Sequence, residues 1–207
     1  MGRDNSSIVI DNLSDEAEDT VVIYFYFEFA SRNEQSLVNM LGSLLRQLIS
    51  ELGGIPEEVA RAFRKRRRGI EGKGPRISGI LEMLRAATAT KRIFICIDAL
   101  DECAPEYRME VLESLKQILQ ESPNTRLFMT GRPYVRSEVE RKLDGAATFM
   151  SIQPVEEDIL RYIRDRLEND TAPEIMSNTL EADVMRTVPE ITSEMYVEMG
   201  ARKGYPR

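Results

Sequence analysis

Three carboxylates follow directly on an apolar run in the middle of the chain. The segment RIFICIDALDEC, residues 92–103, begins with residues typical of a buried parallel strand, because a strand covered on both faces shows no polar side. Asp98 closes that run, and Asp101 and Glu102 come just after it. Desolvation and mutual repulsion disfavour ionised carboxylates that cluster in such a place. The pattern therefore predicts that a positive ion or group binds at the end of this strand.

A hydroxyl and a guanidinium follow the next apolar run. The sequence LFMTGRP brings Thr130 and Arg132 to the carboxyl end of a predicted strand. In an open α/β sheet, ligands bind at the carboxyl ends of the strands. We therefore expect both side chains to lie near the acids, where the planar fork of an arginine matches the geometry of a phosphate.

An apolar strand that ends in aspartate is typical of the Walker B segment of P-loop nucleotide hydrolases. In that interpretation Asp98 holds Mg²⁺, and Asp101 and Glu102 are candidates for orienting or deprotonating the attacking water. Two structural alternatives stay open: the acids cap the helix that begins at Pro105, or TGRP is a turn that carries a solvated arginine. A metal-dependent phosphatase is a weaker alternative, because the acids do not form a D-x-D pair.

The elements that position these residues alternate between strands and helices. β-branched and aromatic residues predict a strand at 20–29, and leucines at three- and four-residue spacings from Leu37 to Leu52 predict a helix that stops at Gly53 and Gly54. The other predicted elements are helices beginning at Pro56 and Pro105, helices at 77–89, 134–143 and 155–167, and strands at 92–97, 125–130 and 147–152.

This alternation predicts an α/β fold, with a mostly parallel sheet and helices on both faces. After Asn169 we expect no further strand. The segment LEADVMRTVPEI indicates a short helical extension interrupted by Pro189, and the final GARKGYPR indicates a frayed end. The expected division is a nucleotide-binding part at 1–169 and the start of the helical extension at 170–207.

Composition limits the chemistry and the partners. The chain has 207 residues, 28 basic and 35 acidic residues, a formal charge of -7 and no histidine, so histidine-based catalysis and histidine-ligated zinc are excluded. The acidic balance argues against nucleic acid as a partner. The apolar runs are too short for a membrane span and no secretory signal is visible, so we expect a cytoplasmic protein without membrane contact. The basic run at 64–68 leaves two alternatives open, a solvated helix end, or a nuclear-import or nucleic-acid patch.

Several segments together resemble one family. They are SSIVIDNL, VIYFYFEF, NMLGSLLRQL, IFICIDALDEC, LFMTGRP, DILRYIRDRL and LEADVMRTVPEITSEMY. They are similar to the NACHT module of fungal STAND-type signalling proteins, also described as the nephrocystin 3-like N-terminal domain, which often precedes repeats. The resemblance implies a P-loop fold, ATP or GTP with Mg²⁺ as cofactors, Walker B roles for Asp98, Asp101 and Glu102, and cofactor contacts from Thr130 and Arg132.

The chain departs from that family in its phosphate loop. No G-x-x-x-x-G-K-[ST] pattern occurs in the sequence, and in the nearest candidate, GIEGKGPR, Gly74 follows the lysine. We therefore expect a module truncated at both ends, without the strand that the resemblance implies between the strands at 92–97 and 125–130. The expected function is a signalling module that does not hydrolyse nucleotide and contacts proteins, including copies of itself, through helical surfaces. The alternative is an ATP- or GTP-dependent switch whose loop lies upstream.

Overall fold

A computed structural model describes most of the chain. The described residues are 10, 12–13, 20–67, 77–88, 91–144, 147–152, 155–169, 177–192 and 197–202. Most of SSIVIDNL and all of GIEGKGPR lie outside them, so the sequence predictions for those segments have no structural counterpart.

Strands and helices alternate from residue 92 to residue 168, and three successive helices lie between the first two strands, as the sequence predicts. The strands are β1 Thr20–Tyr26, β2 Arg92–Asp98, β3 Thr125–Gly131, β4 Ala147–Ile152 and β5 Val197–Arg202. The helices are α1 Leu37–Glu51, α2 Glu57–Arg67, α3 Ile77–Ala87, α4 Pro105–Glu121, α5 Arg136–Lys142, α6 Glu156–Glu168 and α7 Asn178–Thr192. Strand β1 is shorter than the predicted 20–29, because a 3₁₀ turn at Phe29–Ser31 follows it.

Helix α1 has the boundaries that its sequence predicts. The Ser36 side chain accepts a hydrogen bond from the Asn39 N–H at 3.3 Å, which satisfies one free donor of the first turn. Beyond the last turn, Gly53 adopts φ 69°, a left-handed conformation that favours glycine. The leucines of the predicted stripe, such as Leu41, Leu44 and Leu48, are fully buried.

The five strands form one sheet in the order β1-β2-β3-β5-β4. Strands β1, β2 and β3 are parallel, so their carboxyl ends lie at the same edge of the sheet. Strand β5 runs antiparallel to both of its neighbours. The α/β class and the parallel sheet flanked by helices are therefore confirmed.

The core lies between this sheet and the helices α1, α3 and α4. In register, Ile23, Ile95 and Leu127 form one buried row across the three parallel strands. Helix α1 packs against β1 and α3, and α3 packs against α4. The core therefore holds the carboxyl edge of the parallel strands rigidly together.

No strand lies between β2 and β3 in the described sheet, and no gap separates them. Strand β2 pairs directly with β3 along Ile93↔Thr125 to Ile97↔Met129. The other side of β3 pairs with β5, which lies between β3 and β4. A segment near the carboxyl end of the chain thus supplies backbone partners to a strand edge inside the sheet.

Three expectations for the region after Asn169 are wrong. Strand β5 belongs to the main sheet, so strands do not cease there, and Gly200 to Arg202 are paired instead of frayed. Helix α7 continues through Pro189 to Thr192. The proline ring removes the bond to the carbonyl four residues earlier, and at this position that loss affects only the last turn of the helix. The division at 169/170 stays a prediction.

Across the ranges described above, no helix combines the length and the apolar content that a membrane span requires.

Candidate functional site

The carboxyl edge of the parallel strands brings all five predicted site residues together. Asp98 is the last residue of β2, and Asp101 and Glu102 belong to a 3₁₀ turn at Leu100–Glu102. Thr130 lies in β3, and Arg132 follows that strand. Because β2 and β3 are parallel neighbours, the two loops that follow them meet.

Asp98 and Thr130 form the inner part of this site. The Thr130 hydroxyl donates to Asp98 Oδ1 at 2.5 Å and accepts the Ala99 N–H at 3.0 Å. Ala99 has φ 51°, a left-handed conformation that costs a non-glycine residue about 1–2 kcal/mol. The buried hydroxyl of Thr130 therefore holds both the carboxylate and the strained turn that follows it.

Asp101 and Arg132 bind each other. Arg132 Nε lies 3.3 Å from Asp101 Oδ2, and the Arg132 backbone N–H donates to Asp101 Oδ1 at 3.2 Å. The Asp101 side chain is 8% exposed and the Arg132 side chain 63%. Asp101, the predicted water-activating acid, is thus paired with Arg132, the predicted phosphate sensor. The carboxylate of this pair is buried and the arginine faces solvent.

Glu102 contacts the loop after β1. Its Oε2 accepts the Phe29 N–H at 2.8 Å, across 73 residues of sequence. The Phe27 N–H also donates to the Asp98 carbonyl at 3.1 Å. The loop after β1 is therefore tied to the acidic turn, an arrangement that no local sequence pattern indicates.

Arg108 is a site residue that the sequence analysis missed. Its side chain is 4% exposed, donates to the carbonyls of Asp101 at 3.1 Å and Cys103 at 2.9 Å, and pairs with Glu138 at 3.3 Å. A signal did exist, because Arg108 lies three and four residues before Val111 and Leu112, on the apolar stripe of the predicted helix. An arginine on such a stripe indicates a buried charge with fixed partners.

The alternative in which the acids cap the helix at Pro105 does not describe this geometry. The N-cap of α4 is Ala104, and no side chain makes a capping bond there. Asp98, Asp101 and Glu102 instead bond to Thr130, to Arg132 and to the backbone of Phe29.

The two thiols are packed core residues. Burial raises the pKa of Cys96 to about 12. Burial likewise raises the pKa of Cys103 to about 11, and the nearby Arg108 guanidinium opposes that rise. Both thiols are therefore protonated at neutral pH and are poor nucleophiles.

The edge offers few protein ligands for a magnesium ion. Mg²⁺ prefers six oxygen ligands. Asp98 supplies a carboxylate there, but its Oδ1 already accepts the Thr130 hydroxyl hydrogen. In the ranges that the structure describes, no three acidic or cysteine side chains are grouped as a metal site. An ion at Asp98 would thus depend on phosphate oxygens and water for most of its ligands.

A second surface feature is an apolar groove among α1, α2 and α3. Its volume is about 930 Å³, within the usual range of ligand pockets. Ile55 and Phe63, at its rim, are 65% and 54% exposed. Arg46 and Arg64 also line the groove, and Arg64 pairs with Glu57. Of the basic run at 64–68, Arg64 alone has a described side chain.

The fold and the carboxyl-edge cluster define a P-loop-like α/β module. The model of the family described as "Nephrocystin 3, N-terminal" matches residues 5–132 of this chain. Since the match covers more than half of the sequence, the chain belongs to that family. The match includes the three parallel strands and all five predicted site residues, which indicates a NACHT-like module. No curated protein matches the chain.

Proposed function

We propose that this chain is a NACHT-like signalling module that does not hydrolyse nucleotide by itself and acts through protein contacts. The observation that carries the proposal is the mutual engagement of the predicted catalytic groups. Asp101 binds Arg132, and Glu102 binds the Phe29 N–H.

Hydrolysis would require these groups to leave their partners. An acid that activates water must come within hydrogen-bond reach of that water, and a sensor must reach the terminal phosphate. Releasing Glu102 from the Phe29 N–H breaks one charge-assisted hydrogen bond, which contributes about 1.5–3 kcal/mol. Without a phosphate loop in the sequence, few contacts of a bound nucleotide could offset that cost.

Calorimetric titration with ATP·Mg²⁺ and GTP·Mg²⁺, together with a phosphate-release assay, tests this part of the proposal. We expect no binding with a dissociation constant below about 10 µM and no release of phosphate above the buffer rate. Tighter binding of either nucleotide, or release of phosphate that Glu102→Gln abolishes, would show that the proposal is wrong.

The groove among α1, α2 and α3 supports the protein-contact part of the proposal. Its lining includes the exposed apolar side chains of Ile55 and Phe63 and the exposed arginines at 46 and 64. An amphipathic helix that binds in a groove presents apolar side chains to the floor and polar ones to the rim. Charge complementarity therefore favours an acidic amphipathic helix of a partner protein.

Fluorescence anisotropy with two labelled model helices tests this occupant. One peptide carries leucines on one face and glutamates on the other, and its matched partner carries lysines in place of the glutamates. We expect the acidic peptide to bind at least about tenfold more tightly, and Phe63→Ala to weaken it, whereas Tyr162→Ala on α6 leaves it unchanged. If both peptides bind with equal affinity, or if Tyr162→Ala alone weakens binding, an acidic helix is not what binds in the groove.

An ATP- or GTP-dependent switch is the second candidate. Asp98 and Thr130 at the carboxyl edge favour it, because Walker B chemistry requires a carboxylate there. If nucleotide binds, Asp98→Asn should weaken the magnesium-dependent part of binding. Asp101→Asn and Glu102→Gln should slow hydrolysis, about 10²-fold or more, without a matching loss of affinity. Equal and negligible effects from all three substitutions would remove this candidate.

We also propose that the protein is cytoplasmic, with the basic run at 64–68 as the segment that would direct it into the nucleus.

A further inference from the structure

Among the described residues, strand β1 is an end strand of the sheet. It pairs with β2 on one side. In an end strand, the backbone N–H and C=O groups of every second residue point away from the sheet, where another strand can pair with them. Charged residues and proline usually protect such edges, but Thr20–Tyr26 contains neither. Its β-branched and aromatic residues favour strand pairing.

Gln47 of α1 occupies the outward groups of Tyr24. The Tyr24 N–H donates to Gln47 Oε1 at 3.0 Å, and Gln47 Nε2 donates to the Tyr24 carbonyl at 2.8 Å. Bonding to both groups of one residue is what an antiparallel strand does at a hydrogen-bonded pair. The side-chain amide of Gln47 thus takes the place of one residue of a neighbouring strand.

Gln35 does the same two residues further along. The Glu28 N–H donates to Gln35 Oε1 at 2.9 Å, and Gln35 Nε2 donates to the Tyr26 carbonyl at 2.9 Å. Bridging a carbonyl and the N–H two residues later is the pattern of a parallel partner. Together the two glutamines bond to both backbone groups of Tyr24, to the Tyr26 carbonyl and to the Glu28 N–H.

We propose that this edge is a strand-pairing surface for a second copy of the chain, which Gln35 and Gln47 keep closed. Two copies of an identical edge pair antiparallel about a twofold axis, since each then offers the groups that the other needs. Strand β1 carries no charge that would oppose this pairing. Gln35 and Gln47 bond to this edge through their side chains. Either side chain can rotate away while the backbone of β1 keeps its hydrogen bonds to β2.

Hydrogen exchange of the unaltered protein provides the first test. The Tyr24 and Glu28 amides should exchange at least about tenfold more slowly than an unpaired amide, because each has a glutamine acceptor. In Gln47→Leu the protection of Tyr24 should be lost, while that of Ile23 and Phe25, which face β2, remains. Fast exchange of Tyr24 in the unaltered protein overturns the proposal without any variant.

Sedimentation velocity tests the partner. We expect the double variant Gln35→Leu/Gln47→Leu to form a dimer whose fraction increases with protein concentration. At each concentration this fraction should exceed the dimer fraction of the unaltered protein. The matched control is Gln117→Leu on α4, whose side chain bonds to Glu121 within its own helix, and it should behave as the unaltered protein.

A charge on the edge identifies the surface that pairs. Adding Tyr24→Lys to the double variant puts a positive charge on both short strands of an antiparallel β1 pair, where the two lysines repel each other, so it should restore the monomer. A double variant that keeps its fold and stays monomeric overturns the second copy as the partner. A dimer that Tyr24→Lys leaves intact shows that another surface pairs, and overturns the proposal as well.

Discussion

Replacing Thr130 by valine removes one hydroxyl at the centre of the candidate site and leaves the shape of the side chain almost unchanged. That hydroxyl accepts the Ala99 N–H at 3.0 Å and donates to Asp98 Oδ1 at 2.5 Å. The substitution therefore separates the hydrogen bonds of the site from its packing.

The expected loss follows from these two bonds. A partly buried N–H that loses its acceptor costs about 1–3 kcal/mol. Asp98 also loses a donor, but this carboxylate is only half-buried, so water replaces part of that bond. We expect Thr130→Val to lower the free energy of unfolding by about 2–3 kcal/mol. With a urea dependence of about 1–3 kcal/mol per molar, the midpoint should fall by about 1 M.

Urea unfolding followed by circular dichroism measures this change, and two variants control it. Thr130→Ser keeps the hydroxyl and loses a methyl group, so it should cost about 0.5–1.5 kcal/mol. Thr148→Val makes the same chemical change at an exposed position of β4 and should have almost no effect. If Thr130→Val behaves as Thr148→Val does, the hydroxyl does not hold the turn at Ala99 and the reasoning fails.

Three further expectations concern the charges and thiols around the site. A double-mutant cycle of Asp101→Asn and Arg132→Ala should give a coupling of no more than about 1 kcal/mol, since the arginine is 63% exposed, and a larger value would indicate a desolvated pair. Arg108→Met should lower the free energy of unfolding by about 3–5 kcal/mol, because Glu138 and the Cys103 carbonyl lose the arginine, while the Asp101 carbonyl keeps the Tyr134 hydroxyl; a change below about 1 kcal/mol in urea unfolding would contradict the buried network. Cys96 and Cys103 should resist iodoacetamide until the protein unfolds, as mass spectrometry would show. Burial raises the pKa of these thiols from 9.0 to about 12 and about 11, so the folded state stays protonated at pH values where the unfolded state ionises. Their contribution to the free energy of unfolding should therefore be full below pH 9.0 and fall as the pH rises above it. If stability falls by the same amount in Cys96→Ala/Cys103→Ala, other groups cause the fall.

The sequence alone determined the features that depend on neighbouring residues. The apolar run before Asp98 predicts β2, and the leucine stripe from Leu37 predicts α1, because the side-chain period of a strand or helix is a local property. The acids after β2 and the hydroxyl and guanidinium after β3 could be assigned to one edge, since parallel strands carry their carboxyl ends together. The five candidate residues were therefore found from sequence, whereas their chemical roles remain predictions.

Only the tertiary structure decided which groups bind each other. The pairing of Asp101 with Arg132, and of Glu102 with the Phe29 N–H, depends on how loops from three strands meet. The place of β5 between β3 and β4 is equally non-local, and its sequence, VEMGAR, is short and carries one β-branched residue and no aromatic residue, so its alternation of apolar and other residues is a weak strand signal. Strand pairing is set by backbone donors and acceptors that every residue carries, so a short segment far along the chain can fill a sheet position with only a weak signal in its side chains.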